Sequence, residues 1–320
     1  MNSKILIFGA GSIGERHIKN LLDLGFNKIT IYRQRNLPLR NVDANDLEII
    51  TDLDNIEKGQ FQFAVICTPT SMHVEQTLFC IEKNIPVLVE KPLSHSLEGL
   101  NILKSAVIQY GTFLHVGYMM RYHPLLKRIK SGLEKNEWGN CIYIRTYWGE
   151  YLPNWHPWED YRESYAAKRS LGGGAALTLS HDLDVVNWLV GSEVSNFNTM
   201  YSHASSLELD VESAADIQIE YSNGIQAHVH LNFFQKFPKR EYQIECEEAS
   251  LLFDFFDNSL TIQYPNNKEK KVVDSFDRND LFLDQTKAVF KLINSERHKE
   301  YALNQIEESS CIIKLCTYEK

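Results

Sequence analysis

The chain has 320 residues, of which 43% are hydrophobic and 23% charged, and its formal net charge at pH 7 is −9. This length suits two domains or one large one with a substantial apolar core. An acidic chain without a long basic run argues against nucleic acid as a partner. The six cysteines form no C-x-x-C pair and no apolar run approaches the ~20 residues of a membrane span, so we expect a cytoplasmic protein without membrane attachment, with reduced thiols and no metal.

Short β-rich runs alternate with helical patterns from Lys4 to about Arg121. This alternation indicates βαβ units around a parallel, doubly wound sheet of the Rossmann type, and we assign residues 1–121 to a dinucleotide-binding domain. The predicted elements are strands at Ile5–Phe8, Lys28–Tyr32, Phe63–Cys67, Val87–Val89 and Phe113–Val116, and helices at Gly14–Leu24, Ser71–Lys83 and Leu97–Tyr110.

Beyond Pro124 the chain changes to long, alternating, aromatic segments. Such segments predict a second α/β domain, residues 122–320, with a large, mostly antiparallel open sheet and helices on one face. The clearest strands are Cys141–Trp148, Ala214–Tyr221, Ile225–Phe234 and Tyr242–Glu247, and the closing helices are Leu281–Ile293 and Leu303–Cys316.

A glycine-rich segment follows the first strand directly and opens the first helix. The first glycine allows a tight turn, the second lets the backbone approach a pyrophosphate, and the third allows close packing of strand and helix. A plain strand turn is the alternative, but the strand–loop–helix context favours a dinucleotide site. The expected contacts are Gly9, Gly11, Ser12, Ile13 and Gly14.

The second strand ends in Ile31-Tyr32-Arg33-Gln34-Arg35, without the acidic residue that NAD-specific sites place ~20 positions after the loop. Arg33 and Arg35 suit a ribose 2′-phosphate, and one charge-assisted hydrogen bond contributes ~1.5–3 kcal/mol. The sequence therefore favours NADP(H), with NAD(H) as the alternative. The alternative is that both arginines are solvated loop residues.

Further motifs follow in order along the chain. They are the continuation of the glycine loop through His17, Cys67-Thr68-Pro69-Thr70 with His73, Glu90-Lys91-Pro92, and Gly172-Gly173-Gly174 leading to His181-Asp182-Leu183-Asp184. This ordered set resembles the Gfo/Idh/MocA oxidoreductase family over nearly the whole chain. The resemblance implies a Rossmann domain followed by an α/β domain whose open sheet mediates oligomers, so we expect a homodimer or homotetramer.

The resemblance also implies roles for individual residues. Lys91 matches the family lysine beside the nicotinamide, His181 matches the acid/base histidine, and Glu90 matches a contact to the nicotinamide ribose. The family segment along the cofactor is matched by Thr68, Pro69, Thr70 and His73. The alternatives are that Lys91 is a solvated lysine at a strand end and that His181 caps its own helix.

The chemistry of the groups agrees with these roles. Oxidising a carbinol sends a hydride to nicotinamide and a proton to a base, and a histidine titrating near ~6.5 suits the proton step. A lysine, near ~10.4, suits polarising and orienting the substrate oxygen. Many family dehydrogenases carry an aspartate three or four positions before the histidine, where this chain has Thr178 and Leu177. Asp184, one turn after His181, or Thr178 with a water, is the remaining candidate to assist it. Both residues are also candidate substrate contacts.

Aromatic residues are concentrated between positions 147 and 165. Sugars bind to flat ring faces and a few directed polar groups, so Tyr151, Trp155 and Tyr161 are candidate substrate contacts. Arg121 and Arg162 are candidates for a carboxylate or phosphate pocket. An interdomain seam or an oligomer interface is the alternative for the aromatic segment. Further candidates for the carboxylate or phosphate pocket, near the motif segments, are Lys168, Arg169, Lys236 and Arg240, with a solvated side chain as the alternative for each.

The predicted function is that of an NAD(P)-dependent oxidoreductase acting on a hydroxyl or keto carbon of a sugar or sugar derivative: a nucleotide sugar, an acidic sugar or a polyol. The alternative from another class is a cofactor-binding sensor of the same fold without catalysis. A third possibility is transient oxidation followed by elimination or epimerisation, with no net redox change.

Overall fold

The computed structural model describes residues 3–34, 38–43, 47–266, 269–273, 275, 277–294 and 297–317. They form two compact units. The first contains the described residues up to Gly117 together with Phe282–Ser310, and the second contains Tyr118–Leu281 and the residues from Cys311 onward. No helix in the described part of the chain is long and apolar enough to cross a membrane.

A six-stranded sheet forms the centre of the first unit. Its strands pair in parallel in the order β3-β2-β1-β4-β5-β6, which confirms the predicted Rossmann sheet. The order reverses between β1 and β4, and open α/β sheets bind ligands at the carboxyl ends of strands at such a point. The elements are β1 (Lys4–Phe8), α1 (Ser12–Asp23), β2 (Lys28–Tyr32), β3 (Leu47–Ile50), β4 (Phe63–Ile66), α2 (His73–Glu82), β5 (Val87–Val89), α3 (Leu97–Tyr110) and β6 (Leu114–Val116).

The core of the first unit includes a segment from late in the chain. Helix α7 (Arg278–Ile293) brings Phe290 against Phe26 at 4.7 Å and against Phe63 at 4.9 Å between ring centroids. Dividing the chain at residue 121 assigns this segment to the second domain. In the structure Phe282–Ser310 belongs to the first unit, because its apolar side chains complete that core.

An eight-stranded sheet forms the centre of the second unit. Its order is β14-β13-β12-β11-β7-β10-β9-β8, and the neighbours are antiparallel except for β7 and β10, as predicted for a mostly antiparallel sheet. The elements are α4 (Pro124–Glu134), β7 (Cys141–Tyr151), α5 (Ala175–Thr178), α6 (His181–Val190), β8 (Val194–Ser202), β9 (Ala214–Tyr221), β10 (Gln226–Asn232), β11 (Phe234–Cys246), β12 (Ser250–Asp254), β13 (Ser259–Gln263) and β14 (Glu269–Val273). The last helix, α8 (His298–Cys316), belongs to the first unit as far as Ser310 and to the second from Cys311 onward.

The two faces of this second sheet differ. Along β10, Ala227, Val229 and Leu231 are buried, whereas the alternating His228 and His230 remain partly exposed. Because side chains alternate between faces along a strand, one face packs into the core and the other stays open.

Candidate active site

The glycine loop joins β1 to α1 in the first unit. Gly9 has a φ of +83°, a left-handed conformation that favours glycine. A Cβ on Gly14 would lie 2.4 Å from the carbonyl oxygen of Gly9, so helix and turn are in direct backbone contact. A Cβ on Gly11 would meet no atom within 4 Å. A tight turn with open space at a helix N-terminus fits the pyrophosphate of a dinucleotide. The other predicted loop residues, exposed or partly buried at the start of α1, are Ser12 and Ile13.

The segment after β2 is joined to the same helix. Arg33 is partly buried at the end of β2, and Arg35 lies outside the described residues. Glu15, buried in the first turn of α1, accepts hydrogen bonds from the backbone N–H groups of Arg40 and Asn41 at 2.6–3.1 Å. Sequence reasoning missed Glu15, which lies within the glycine motif but whose partners are 25 and 26 positions away.

A cavity of about 300 Å³ opens between the end of β2 and helix α2. Tyr32, Gln34 and Met72 contribute to its lining, together with the carboxyl-bearing Glu75 and Glu82. A cavity of this size with mixed apolar and polar walls suits a flat heterocycle.

Glu90, Lys91 and Pro92 follow β5 at the carboxyl edge of the parallel sheet. The buried Glu90 carboxylate lies 2.8 Å from Nε2 of His17 on α1. Burial raises the pKa of Glu90, but the hydrogen bond and charge of His17 and the charge of Lys91 outweigh that effect and hold the pKa below its usual range. A Cβ on Gly117 would lie 3.1 Å from Glu90 Oε2, so the glycine leaves room for the carboxylate. Lys91 is partly exposed.

The predicted cofactor segment after β4, residues 68–70, is connected to α2 by hydrogen bonds. The Thr68 hydroxyl donates to Gln76 Oε1 at 2.6 Å. The ring of His73 has Nδ1 2.8 Å from the Pro92 carbonyl oxygen and Nε2 2.9 Å from the Thr68 carbonyl oxygen. Burial lowers the pKa of His73. Both ring nitrogens thus lie at hydrogen-bonding distance from backbone carbonyl oxygens; a neutral imidazole donates to one of the two and a protonated ring to both. The intervening predicted residues, which lead into α2, are Pro69 and Thr70.

In the second unit, the Gly172–Gly174 segment brings two loops close to the start of α5. A Cβ on Gly173 would lie 2.4 Å from the Tyr165 carbonyl oxygen, and one on Gly174 would lie 2.3 Å from Glu212 Oε1. Glu212 in turn accepts a hydrogen bond from the N–H of Ala176 at 3.0 Å. Glycine is required here because the chain passes other groups too closely for a side chain.

His181 begins α6 and is 4% exposed. The edge of its ring meets Tyr118 with centroids 5.7 Å apart, and Trp148 of β7 lies 6.2 Å away. Burial raises the pKa of Tyr118, and the charge of Asp184 adds to the effect. A buried imidazole in contact with two aromatic rings is held in a defined orientation.

Asp184, which sequence reasoning proposed as an orienting group for His181, forms a two-point ion pair with Arg121. Arg121 Nε lies 3.0 Å from Oδ2, and Nη2 lies 2.6 Å from Oδ1. The carboxylate is fully buried and the Arg121 side chain is 24% exposed. The structure thus brings together two predicted substrate contacts as partners of each other. Thr178, a third, is buried at the end of α5.

A second buried ion pair lies directly beside His181. Asp182 Oδ1 accepts from Arg240 Nε at 2.9 Å, from Arg240 Nη2 at 2.5 Å and from the Tyr242 hydroxyl at 2.6 Å. The guanidinium carbon of Arg240 lies 3.8 Å from the ring centroid of Trp148. Burial raises the pKa of Asp182, while the charge of Arg240 opposes that rise. Sequence reasoning named Arg240 among the cations of a candidate carboxylate or phosphate pocket and gave Asp182 no role.

The aromatic segment after β7 packs within its own unit. Trp155 meets Phe233 edge to face at 5.7 Å, and Tyr151 at the end of β7 is partly buried. The Tyr161 hydroxyl accepts the N–H of Glu208 at 3.1 Å. Arg162 is exposed and pairs with Asp160 at 2.7 Å and with Glu208 at 3.3 Å.

Lys91 belongs to the first unit and His181 to the second. Around Lys91 the structure gathers the predicted residues Glu90, Thr68 and His73. Around His181 it gathers Tyr118, Trp148 and two buried ion pairs. Among the described residues, no group of three His, Cys, Asp or Glu side chains is arranged to hold a metal ion.

Comparison with known protein families assigns both units. Residues 3–118 match "Oxidoreductase family, NAD-binding Rossmann fold", and residues 126–252 match "GFO/IDH/MocA C-terminal domain". The chain belongs to the Gfo/Idh/MocA family. The family prediction is confirmed, and the oxidoreductase interpretation is favoured over the sensor.

Three individual relatives have sequence identities to this chain of 24–28%. The chain is 28% identical over 232 residues to the uncharacterized oxidoreductase YrbE of Bacillus subtilis, covering 69% of this chain but 64% of YrbE, less than two thirds of its length. It is 26% identical over 239 residues to the rhizopine catabolism protein MocA of Rhizobium meliloti, covering 72% and 71%. The scyllo-inositol 2-dehydrogenase (NAD(+)) of Bacillus subtilis is 24% identical over 254 residues, covering 70% of each chain.

Solved structures share the fold over nearly the whole length. Levoglucosan dehydrogenase in complex with NADH has a TM-score of 0.81 at 16% identity, covering 99% of this chain and 97% of that one. UDP-N-acetylglucosamine 3-dehydrogenase GnnA of Acidithiobacillus ferrooxidans has a TM-score of 0.76 at 16% identity, covering 98% and 96%. At these identities the likeness establishes the two-domain fold and nothing finer.

Proposed function

We propose that this chain oxidises a secondary hydroxyl group of a neutral sugar or polyol, or reduces the matching ketone, with NADP(H) as the preferred cofactor. Family membership supports the oxidoreductase class, and the relative named scyllo-inositol 2-dehydrogenase acts on a polyol. We choose a neutral substrate because the charged side chains around His181 are paired with one another and leave no net charge for an anionic substrate.

The two arginines of this cluster each have a buried carboxylate as partner. Arg121 is paired with Asp184, and Arg240 with Asp182. If a substrate carboxylate or phosphate bound either guanidinium in place of its partner, the protein carboxylate would stay buried without a counter-charge. Such a loss costs several kcal/mol by order of magnitude. The cluster therefore disfavours an anionic group beside His181.

The loops at 155–170 and 207–212, which are joined by the Arg162–Glu208 and Arg169–Asp210 contacts, carry the same bias. They contain six carboxylates against three cations. A net negative surface repels a nucleotide sugar or a uronate, whereas the rings and hydroxyl groups of a neutral sugar are unaffected. The acidic members are Glu159, Asp160, Glu163, Glu208, Asp210 and Glu212, and the basic members are Arg162, Lys168 and Arg169.

In this proposal each unit supplies one part of the chemistry. The bound nicotinamide supplies the acceptor or donor of the hydride. Gly9, Gly11 and Gly14 hold the pyrophosphate through the backbone. Lys91 orients and polarises the substrate oxygen, and His181 takes its proton during oxidation or returns it during reduction.

Substitution of the two reacting residues tests the function. Lys91→Ala and His181→Asn are each expected to lower kcat by roughly 10²–10⁴-fold, the range for general acid–base catalysis, with cofactor affinity nearly intact. Matched controls are Lys83→Ala and His203→Asn. Lys83 follows α2 and its ammonium donates to the Ile56 carbonyl oxygen, and the His203 ring contacts the Val211 carbonyl oxygen. Unchanged turnover in Lys91→Ala and His181→Asn would overturn the assigned roles.

A paired substrate panel tests the neutral class. Reduction of nicotinamide is followed with inositols and neutral aldoses, with the uronates of the same ring stereochemistry, and with UDP-sugars. We expect kcat/KM at least roughly tenfold higher for a neutral ring than for its uronate, a difference of ~1.4 kcal/mol. Turnover confined to uronates or UDP-sugars would show that the charge argument is wrong while keeping the oxidoreductase.

The cofactor preference depends on Arg33 and Arg35. Titration calorimetry of cofactor-stripped protein should show tighter binding of NADP(H), reduced roughly tenfold to a hundredfold in Arg33→Ala plus Arg35→Ala, with NAD(H) little changed. The carboxylates of Glu75 and Glu82 in the adjoining cavity provide the counter-argument. Tighter binding of NAD(H) by the unmodified protein would show that these carboxylates, and not the two arginines, determine the cofactor preference.

We also propose that the open face of the eight-stranded sheet binds a second copy of the chain. Met200 of β8 and Leu252 of β12 both lie on this open face, and their exposed fractions are 66% and 43%. Exposed apolar side chains on an open sheet face are typical of an interface. Sedimentation of the unmodified protein and of Met200→Lys plus Leu252→Lys should show a dimer or tetramer that dissociates; an unmodified monomer would refute the proposal.

A further inference from the structure

Two buried histidines contact the residues on either side of Lys91. His17 contacts Glu90, and His73 contacts Pro92. Both histidines are 1% exposed. They come from different helices, α1 and α2. We call His17 and His73 the histidine clamp.

The first contact fixes Glu90. Nε2 of His17 lies 2.8 Å from Glu90 Oε1, and the imidazole is set edge-on against Phe282 at 5.7 Å. Gly117 closes the other side of the carboxylate. A charged hydrogen bond that is buried in this way is shorter and stronger than one in water, so the carboxylate has a defined position.

The second contact fixes Pro92. Nδ1 of His73 meets the Pro92 carbonyl oxygen at 2.8 Å, and Nε2 meets the Thr68 carbonyl oxygen at 2.9 Å. The ring therefore joins the segment after β5 to the segment after β4. Each ring nitrogen faces a backbone carbonyl oxygen, so neither is directed at a cofactor atom, and the tautomer decides which carbonyl receives the N–H.

We propose that His17 and His73 are positioning residues that hold Glu90-Lys91-Pro92 in place for the nicotinamide end of the cofactor. The inference rests on the proposed function, which sets Lys91 at the reacting oxygen. Neither histidine touches the reacting atoms. Each acts through the neighbour of Lys91 that it contacts.

The two ring nitrogens make the clamp testable by conservative substitution. Glutamine carries its amide nitrogen near the position of histidine Nε2, whereas asparagine carries it near Nδ1. We expect His17→Gln to keep the contact to Glu90 and His17→Leu to lose it. We expect His73→Asn to keep the contact to Pro92 and His73→Gln to keep only that to Thr68.

The probes are NADPH and 2′-phospho-ADP-ribose, which lacks the nicotinamide, together with NADH and ADP-ribose. Calorimetry on the cofactor-stripped full chain should show that His17→Leu and His73→Gln weaken NADPH and NADH about tenfold to a hundredfold, while the nicotinamide-free ligands change less than about twofold. His17→Gln and His73→Asn should stay close to the unmodified protein. The matched control is His115→Asn on β6, whose Nδ1 contacts the Tyr301 hydroxyl at 2.6 Å and which should change neither ligand pair.

Equal weakening of both members of each ligand pair, or no weakening of either, overturns the clamp. If His17→Leu does not fold, His17→Met, which also fills the space without a donor for Glu90, must give the same selective loss. Failure of the proposed function is recognised separately, because Lys91→Ala would then retain turnover. If Lys91→Ala loses turnover while the clamp variants bind and turn over normally, only the clamp is wrong.

Discussion

The glycine loop of the first unit and the His181 cluster of the second are held by different kinds of contact. In the loop, backbone meets backbone within six residues of sequence, as the close approach of Gly14 to Gly9 shows. In the cluster, side chains from Trp148, Asp182 and Arg240 meet across more than ninety positions. A backbone-built site tolerates changed side chains nearby but no added atom in its turn. A site built from distant side chains fails when one charge is removed.

Removing the buried carboxylate of the second unit should have the largest effect on stability. Asp182→Asn leaves the buried guanidinium of Arg240 without its counter-charge, and breaking such a pair costs ~3–5 kcal/mol. Urea unfolding followed by tryptophan fluorescence measures the loss. The matched control is the double variant Asp182→Leu plus Arg240→Leu, which removes both charges and should recover part of the stability. If the stability lost in the double variant equals the sum of the losses in Asp182→Leu and in Arg240→Leu, the two charges are not coupled.

The contrast between Gly14 and Gly11 tests the backbone-built site. A Cβ at Gly14 meets the Gly9 carbonyl oxygen at 2.4 Å, so Gly14→Ala forces backbone to move and should cost ~1–3 kcal/mol as well as cofactor affinity. Gly11→Ala meets no protein atom, so it should keep the stability of the apo-protein and lose cofactor affinity. Thermal unfolding with and without cofactor separates the two variants. Normal cofactor binding by Gly11→Ala would place the pyrophosphate elsewhere.

The same contrast explains what the sequence could predict. The glycine loop and the Glu90-Lys91-Pro92 segment could be proposed as site residues because each is defined by neighbours in the chain. Strand β3 was missed because its four residues, Leu47–Ile50, are partly or fully exposed and give no apolar run. The place of Phe282–Ser310 in the first unit was missed because nothing local shows which core receives Phe290.

The substrate side was predicted less completely. His181 was proposed from its motif. Its contact with Trp148 and the ion pair of Asp182 with Arg240 were not predicted, because these partners are brought together only by the packing of α6 on the sheet. Asp184 was identified by its helical spacing, yet its partner Arg121 lies 63 positions away. Helical spacing shows which residues share a face and leaves open what that face meets.

Acidification should reduce stability through His123. This residue is fully buried at the start of α4, and its Nδ1 accepts the N–H of Leu125 at 3.2 Å. Burial, with the charges of Arg240 and Lys127, lowers its pKa to about 3. The unfolded chain, with a histidine pKa near ~6.5, binds the proton first, so stability is present above that pH and is lost as the pH falls toward 3. From pH 7 to pH 5 the loss is about 2 kcal/mol.

The variant His123→Asn checks this pH dependence, because asparagine also caps a helix but does not titrate. Urea unfolding at pH 7, 6 and 5 should show a flatter pH dependence for the variant, even though losing the ring contact with Phe253 lowers its stability at every pH. An identical slope in both proteins would assign the acid sensitivity to other groups.

The smallest effect is expected at an exposed ion pair of the same unit. Arg162 pairs with Asp160 at 2.7 Å and with Glu208 at 3.3 Å, and its side chain is 48% exposed. Solvent screens such contacts, and holding a long side chain in place offsets much of the attraction, so Arg162→Ala should leave the urea midpoint unchanged at both low and high salt. The comparison is Arg121→Ala, which removes the partner of the fully buried Asp184 and should lower the midpoint clearly at both salt concentrations. The two ion pairs have similar geometry and differ in burial. Equal decreases of the urea midpoint in the two variants would therefore mean that burial does not determine which arginine stabilises this unit.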